Sequence, residues 1–372
     1  MFVELHMIQN FAPANLNRDD TNNPKDAEFG GVRRARISSQ CLKRAIRTAP
    51  IFAQTTGVDT GIRTRWVARL LAEELKKRGQ DAAQAEQVAQ AFAAAYAGKM
   101  DNAQKDRTSV LLYLSRQEIE RFTQALIERW AVLTSGPEKQ VKEALDGLVK
   151  QLIKETKERT SAPDIALFGR MLADKPELSL DAACQVAHAI STHRISMDMD
   201  FFTAVDDLQE RDETGAGMMG YTGFNSATFY RYARIDWEQL VKNLNDERDL
   251  ARRTVEGFLR AAIVAVPSGK QNSFAAQNPP SFLLGVVRND GMSWSLANAF
   301  ERPVSAFRDS GYVRPSIEAL DTYWAQLART FPQNLNAVAA LNLEPGVALV
   351  HLGAYVKPDL EQWIEALLAP LA

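Results

Sequence analysis

The chain has 372 residues, of which 46% are apolar and 24% are charged, and its formal net charge is -2. This length exceeds the usual size of one hydrophobic core, so we expect two domains or one domain with a large insertion. The near-neutral charge excludes a protein that is basic as a whole, as non-specific nucleic-acid binders tend to be, but it is compatible with one basic groove.

Cysteine content and hydropathy restrict the class further. Cys41 and Cys184 are the only cysteines, too few for a disulfide framework or a cysteine-rich zinc site. The N-terminus has no basic segment followed by an apolar core, and no run of about 18 apolar residues occurs. We therefore expect a soluble protein of a reducing compartment, without metal or cofactor.

The pattern of apolar residues predicts strands at both ends of the chain and helices between them. Strands are predicted for residues 2–9, 32–37, 164–171, 187–197, 224–237, 281–288 and 346–353. Helices are predicted for residues 39–49, 180–186, 236–244, 246–266, 315–331 and 358–368. This order favours an α+β fold whose sheet is assembled from distant parts of the chain. The segments on either side of residues 213–223 predict a long hairpin.

Residues 62–160 differ in composition from the rest. They are rich in Ala, Glu, Gln, Lys and Leu, with apolar residues at helical spacing and no strand signal. We interpret this stretch as a helical insertion.

A concentrated positive segment lies near the N-terminus. Six Lys or Arg residues occur between Val32 and Val58 without any Asp or Glu. Ser38 or Ser39 is a suitable N-cap for a helix, because a serine hydroxyl accepts a bond from a free first-turn N–H. One face of that helix carries Gln40, Lys43, Arg44 and Arg47 and the other is apolar. The segment is either a solvated amphipathic helix or an anion site, in which the backbone amides at the helix N-terminus add to the attraction for a phosphate.

Other candidate motifs are weaker. Gly215, Gly217 and Gly220 match G-x-G-x-x-G, but an acidic run precedes them and a strand follows, so we reject a nucleotide site. His188 and His193 lie outside any metal-ligand spacing, and we interpret both as structural.

An acidic run from residue 198 to residue 213 contains Asp198, Asp200, Asp206 and Asp207. It is either a metal site or, as we prefer, a solvated face of the hairpin. Its interleaved Phe201, Phe202 and Val205 are apolar wedges for a nucleic acid or members of the core, and the sequence leaves both interpretations open.

Long motifs resemble a known family. They are LNRDD, KDAEFGG, RRARISSQCLKRAIR, IALFGRM, HAISTHRISMDMDFFTAVDDLQE, FYRYARID, PSGKQNSFAAQNP and SLANAFE. These strings resemble the CasC family, the crRNA-binding backbone subunit of type I-E CRISPR Cascade complexes. The resemblance covers most of the chain outside residues 62–160. Two departures are Phe201, where a tryptophan is expected, and Cys41, where serine is usual.

The resemblance implies a hand-shaped fold with a modified RRM-like, or ferredoxin-like, palm. The palm would comprise residues 1–61, 161–194 and 231–372, with helical fingers at 62–160 and a thumb hairpin at 195–230. It implies a non-enzymatic function, in which copies of the chain stack along a guide RNA and display it in segments for target pairing. The implied partners are crRNA, the paired target DNA strand, adjacent copies of the chain and other Cascade subunits in a prokaryotic cytoplasm, without a membrane.

The resemblance also implies which residues meet the RNA. Its backbone would be held by Arg18, Lys25, Ser38, Gln40, Lys43, Arg44 and Arg47, with Lys270 and Arg302 as further contacts. Met171 would lie against a displaced nucleotide, and Phe201, Phe202 and Thr203 would form the thumb wedge.

An alternative function is an RNA endonuclease of the related type III backbone kind, which cuts with a loop aspartate. Asp19, Asp20 and Asp26 are the loop acids near the basic segment. No general base or second metal ligand accompanies them in the sequence.

Overall fold

The structure is a computed structural model, and it describes residues 1–104, 106–172, 175–204, 218–306 and 311–371. The strands are β1 (Phe2–Ala14), β2 (Asp26–Phe29), β3 (Val32–Ile37), β4 (Ile62–Thr64), β5 (Leu112–Leu114), β6 (Cys184–Val186), β7 (Ala189–Ser191), β8 (Asp198–Ala204), β9 (Met218–Asp236), β10 (Phe282–Arg288) and β11 (Leu335–Asn342). The first helices are α1 (Ser39–Thr48), α2 (Pro50–Thr56), α3 (Val67–Lys77), α4 (Ala82–Ala97), α5 (Arg116–Glu128), α6 (Trp130–Ser135) and α7 (Glu138–Thr156). The remaining helices are α8 (Pro163–Phe168), α9 (Trp237–Asn243), α10 (Arg248–Val264), α11 (Gln271–Phe274), α12 (Val313–Thr330) and α13 (Leu360–Leu368). None of the described helices is both long and apolar enough to cross a membrane.

The chain forms two compact units. The first consists of Met1–Phe52, Gln185–Ile235 and Phe258–Ala372. The second consists of Ala53–Cys184 and Asp236–Gly257. The helical insertion predicted for residues 62–160 falls within the second unit.

The first unit is built on one sheet with the strand order β11-β10-β1-β9-β7-β3-β2, and β8 extends from β9. β1 pairs antiparallel with β10 from Phe2 opposite Arg288 to Ile8 opposite Phe282. β10 pairs antiparallel with β11, and β7 with both β3 and β9. Several neighbouring strands in this sheet, such as β1 and β10, are therefore distant in sequence, as the α+β prediction required.

Helices pack on both sides of the sheet at β10. All seven residues of β10 are buried. Ile317, Leu320 and Trp324 of α12 pack in one core with Phe282, Leu284 and Val286 of β10. α13 approaches β10 closely at Gly285, where a Cβ atom would lie 2.9 Å from the Trp363 ring. A side chain at position 285 would therefore push α13 off the sheet.

The second unit has a helical core around stacked aromatic rings. The ring centroids of Tyr96 on α4 and Phe122 on α5 are 4.9 Å apart. α5 begins with a capping box, in which the Ser115 hydroxyl accepts from the Glu118 N–H and the Glu118 carboxylate accepts from the Ser115 N–H. The carboxylate also pairs with the buried Arg170 guanidinium at 2.8 Å.

Two predictions within the second unit are wrong. Residues 164–171 were expected to form a strand, but Pro163–Phe168 is helix α8. A short apolar run does not separate a buried helix from a strand, and Pro163 at the first turn favours the helix. The insertion also contains strands, since β4 and β5 pair antiparallel from Ile62 to Thr64. Each has only three residues, too few to produce an alternating pattern.

Three further predictions need correction. Residues 180–186 contain β6 instead of a helix, and only Ala189–Ser191 of the strand predicted for 187–197 is extended and paired. Residues 346–353 do not form a strand, because the Asp321 carboxylate accepts bonds from the N–H groups of residues 350, 351 and 352. The strand in this region is β11 at Leu335–Asn342, where the sequence pattern predicts none. The helices at 236–244, 246–266, 315–331 and 358–368 and the mixed α/β fold are confirmed.

Candidate nucleic-acid interface

Helix α1 is capped at its N-terminus, buries its apolar face and exposes a polar face. The Ser38 hydroxyl accepts from the Cys41 N–H at 3.4 Å, so the predicted N-cap is confirmed. Leu42 and Ile46, on the apolar face of this helix, are buried. Gln40 and Arg44 on the opposite face are exposed, while Lys43 and Arg47 are partly buried. The helix therefore packs by its apolar face and offers its cations to a ligand.

The loop that precedes β2 is closed by its own hydrogen bonds. The Lys25 N–H donates to the Asn17 carbonyl at 2.8 Å, and a bridge joins Arg18 to Pro24. Inside the loop, the Asp19 carboxylate accepts from the Thr21 N–H, the Thr21 hydroxyl and the Asn23 N–H at 2.7 to 3.0 Å. These bonds hold the pKa of Asp19 below its usual value. The loop is thus a preformed support for Arg18 and Lys25.

Side-chain and main-chain bonds join this loop to the start of α1. The Asn17 side chain accepts from the Ser38 N–H at 2.8 Å, and the Lys25 carbonyl accepts from the Arg36 N–H at 2.9 Å. The structure therefore brings the loop cations to the N-terminus of α1. We name the surface formed by Arg18, Lys25, Gln40, Lys43, Arg44 and Arg47 the basic surface.

Two titratable side chains report the positive potential there. Burial raises the pKa of the Cys41 thiol, and the charges of Lys25 and Arg44 oppose that rise. Burial lowers the pKa of His188, and the charges of Arg36 and Lys25 lower it further. Cations from the loop, β3 and α1 thus act on the same small region.

Not every cation of the positive segment lies at the surface. Arg34 is fully buried, and its guanidinium donates to the carbonyls of Phe29, Ser191 and Phe300 at 2.8 to 3.1 Å. The neighbouring Arg33 is exposed and pairs with Asp26 at 3.2 Å. Arg34 therefore ties β3 to other parts of the first unit and is unavailable to a ligand, which the sequence pattern could not reveal.

Lys270 lies on a segment that packs beside the same loop. A Cβ atom at Gly269 would lie 2.7 Å from the Asn15 carbonyl, so glycine permits the close approach. Lys270 itself adopts a left-handed backbone conformation with φ of 50°. The Phe274 ring of α11 contacts the Phe224 ring of β9 at 5.7 Å between centroids. Lys270 therefore belongs to a segment that packs next to the loop of the basic surface.

Arg302 and Met171 have other surroundings. Arg302 is exposed and lines a groove of about 560 Å³ with Glu318 and Tyr323, none of which belongs to the basic surface. Met171 is 86% exposed and lies in the second unit. The preceding Arg170 is anchored to the Leu178 carbonyl at 2.8 Å, so Met171 projects from a fixed turn.

β8 and β9 form the predicted hairpin, and its two faces differ. Phe201 pairs with Tyr221, and Phe202 pairs with Gly220. Since side chains alternate along a strand, one face carries Met199, Phe201, Met219 and Tyr221. These four side chains are 51% to 71% exposed. We name this group the hairpin face.

Phe202 lies on the opposite face of the hairpin, where its ring is close to Gly220. Thr203 pairs with Met219 on the same side as Phe201. The two predicted wedge phenylalanines therefore point in opposite directions. Met219 and Tyr221 are not predictable as members of this face from the sequence, because the cross-strand register depends on the length of the turn. Gly215, Gly217, Val205, Asp206 and Asp207 lie outside the described residues.

The base of the hairpin adjoins the loop of the basic surface. The Asn15 amide donates to the Gly223 carbonyl at 2.8 Å and to the Asn22 carbonyl at 3.0 Å. A Cβ atom at Gly223 would collide with the Asn23 side-chain oxygen. The basic surface and the hairpin face therefore share one support in the first unit.

Two of the three loop acids bond to other groups of the protein. Asp19 accepts three bonds inside its own loop, and Asp26 pairs with Arg33. Asp20 is exposed. In the described part of the chain, no three His, Cys, Asp or Glu side chains are grouped so that they could hold a metal ion.

Comparisons with known proteins agree with this architecture. A solved chain titled "CRISPR RNA-guided surveillance complex, pre-nicking" is 33% identical over 100% of both chains, with a TM-score of 0.84. Another, titled "CRISPR RNA-guided surveillance complex", is 26% identical over 100% of both chains, with a TM-score of 0.75. A search of curated proteins gives no significant match.

A family model described as "CT1975-like protein" matches residues 3–365. Together with the structural matches, it confirms the resemblance to a CRISPR backbone-type protein that the sequence motifs indicated. Because the model spans almost the whole sequence, the chain belongs to the CT1975-like protein family.

Proposed function

We propose that this chain is the guide-RNA-binding backbone subunit of a type I-E CRISPR Cascade complex. A role in a CRISPR surveillance complex is supported by structural matches that cover both chains completely. The observation that carries RNA binding is the basic surface, where a closed loop holds cations beside the N-terminus of α1. The chain would bind the crRNA along its backbone, in several adjacent copies and with other Cascade subunits.

The basic surface suits a sequence-independent grip. Lys and Arg side chains and helix N-terminal amides bind phosphate oxygens, which position a nucleic acid without reading its bases. Ser38 is buried and contributes through the helix that it caps. The guide RNA itself reads the target DNA strand by base pairing, as in other RNA-guided systems.

The hairpin would act on the bases. An aromatic or aliphatic side chain inserted between bases unstacks them without holding phosphates. Phe201, Phe202 and Thr203 would form the wedge at a segment boundary, and Met171 would lie against the displaced nucleotide. Repetition along adjacent copies would divide the guide into short segments for antiviral target pairing.

The proposed hand-shaped organisation follows from the same resemblance. Residues 1–61, 161–194 and 231–372 would form an RRM-like palm, 62–160 the fingers and 195–230 the thumb. The antiparallel sheet and the projecting β8–β9 hairpin are consistent with it.

We also propose that the subunit is not an enzyme. The alternative is the type III endonuclease, which would use Asp19, Asp20 or Asp26. The bonds that Asp19 accepts within its loop, and the pairing of Asp26 with Arg33, favour the structural role. Incubating the RNA-loaded assembly with complementary RNA and Mg²⁺ should leave that RNA intact, and discrete cuts would overturn this part of the proposal.

Co-expression tests the main proposal. The chain is expressed with its partner subunits and a CRISPR array transcript, the complex is purified, and the extracted RNA is sized. We expect a single RNA of defined length that is protected from nuclease in evenly spaced segments. A complex free of nucleic acid would refute the proposal. The matched control is a transcript without CRISPR repeats, which should not co-purify.

A further inference from the structure

A histidine lies at the edge of the basic surface, and its tautomer follows from its contact. His188 Nδ1 is 3.0 Å from Arg36 Nη1. A guanidinium nitrogen only donates hydrogen bonds, so Nδ1 must be the acceptor. The imidazole is therefore neutral with its proton on Nε2, which points away from Arg36. His193 differs, because it is buried and bonds to Thr228 and Arg194 within the fold.

The strand register locates this imidazole. β3 and β7 pair Arg36 with Ile190 and Ile37 with Ala189. His188 directly precedes β7, and Ser38, the N-cap of α1, directly follows β3, so both residues lie at the same end of the paired strands. His188 is two residues before Ile190, the partner of Arg36, and this diagonal spacing lets long side chains touch. His188 is exposed. Its ring is thus at the margin between β3 and the start of α1.

Charged groups surround the ring unequally. The nearby cations are Arg36, which it contacts, and Lys25, whose carbonyl accepts the Arg36 N–H. The Asp26 carbonyl accepts from Arg36 Nε at 3.1 Å, whereas the Asp26 carboxylate pairs with Arg33. Burial lowers the pKa of His188, and the charges of Arg36 and Lys25 lower it further. A neutral N–H donor therefore stands among cations, in an arrangement suited to a phosphate oxygen.

We propose that His188 binds a phosphate oxygen of the guide RNA through Nε2–H, as a neutral donor beside Lys25 and Arg36. This inference rests on the proposed RNA-binding function and adds a contact at a residue that the sequence pattern indicates to be structural. A neutral donor contributes affinity and position but neutralises no phosphate. Its removal should weaken binding without changing the number of counterions released.

Two amide substitutions separate the two ring nitrogens. In His188→Asn the side-chain oxygen can replace Nδ1 as the acceptor for Arg36, but the outward donor is lost. In His188→Gln the longer side chain places an N–H close to the original Nε2. RNA affinity of the full-length chain in its purified complex is measured against salt concentration, with a single-stranded CRISPR repeat RNA as the probe. Thermal unfolding of each variant checks that the fold is retained.

We expect His188→Asn to lower affinity about fivefold to tenfold, the size of one net hydrogen bond, with an unchanged salt slope. His188→Gln should bind like the natural protein. The control Lys25→Ala should lower both the affinity and the slope, the latter by about 0.7.

Equal affinities for the natural protein and both variants would overturn the inference, as would a loss in His188→Gln that equals or exceeds the loss in His188→Asn. The first result would leave His188 without a role in binding. A loss confined to His188→Gln would leave it as a support for Arg36, because His188→Asn keeps the acceptor for that guanidinium. If the natural protein fails to bind RNA, the proposed function itself is refuted, so the two failures are distinguishable.

Discussion

The basic surface and the hairpin face lie in the same unit but differ in chemistry and support. The basic surface is polar, and its parts are held together by hydrogen bonds that Asn17 accepts from the N–H groups of Lys25 and Ser38. The hairpin face is apolar and more than half exposed, and the contact between its aromatic rings is the 5.2 Å pair of Phe201 and Tyr221. One region therefore suits phosphates and the other suits bases.

This difference separates two contributions to RNA binding. Phosphate contacts by cations release counterions, so their contribution falls as salt concentration rises. Stacking of bases on aromatic rings involves no cation and should be largely independent of salt. Measurements at several salt concentrations can therefore assign each residue to one region, and a third class of residue supports the fold without contacting RNA.

The largest effect should come from Arg34, which resembles the surface cations in sequence but is buried. Arg34→Ala leaves the carbonyls of Phe29, Ser191 and Phe300 without their donor. Because hydrogen bonds from a charged group contribute about 1.5 to 3 kcal/mol each, we expect the free energy of unfolding to fall by at least about 3 kcal/mol. Urea denaturation followed by circular dichroism measures this change.

The adjacent Arg33 is the matched control. It is exposed and pairs with Asp26 at the surface, so Arg33→Ala should change the free energy of unfolding by less than about 1 kcal/mol. If Arg34→Ala kept its stability but lost RNA affinity, Arg34 would have to be assigned to the basic surface.

A smaller effect, about 25-fold in affinity, is expected for the double variant Lys43→Ala with Arg47→Ala. Each contact to single-stranded RNA contributes about 0.7 to the salt slope, so losing two lowers the slope by about 1.4 and weakens binding about 25-fold at about 0.1 M salt. Filter binding of guide RNA across a salt series measures both quantities. Arg329→Ala, an exposed cation at the end of α12, is the control and should change neither. An unchanged slope in the double variant would contradict the assignment of the basic surface.

The smallest effect is expected for Phe201→Ala on the hairpin face. Stacking of one base contributes about 1 to 3 kcal/mol, and we expect the lower end, about fivefold in affinity, because the ring is half exposed and Tyr221 remains. The loss should be the same at low and high salt. Met292→Ala, an exposed apolar side chain outside the hairpin, should have no effect. A loss of affinity that disappeared at high salt would show that Phe201 contributes to the phosphate contacts and does not stack on a base.

Much of the site could be predicted from the sequence because its signals are local. The N-cap at Ser38, the polar face of α1 and the extent of β3 depend on neighbouring residues, and the structure confirms them. The long helices α10, α12 and α13 were predictable for the same reason, since each has enough turns to show its apolar face. The short elements α8, β4 and β7 could not be predicted correctly. They have three to six residues, too few for a helical or strand-like pattern of apolar residues to appear.

The tertiary structure determined the different surroundings of residues that look alike in the sequence. Arg33, Arg34 and Arg36 are almost adjacent, yet the first is at the surface, the second is buried against carbonyls from three parts of the chain, and the third holds His188. The composition of the segment determined that positive charge would be concentrated there. Strand pairing between distant segments determined which of those charges face solvent, because burial and cross-strand register depend on residues more than 150 positions away.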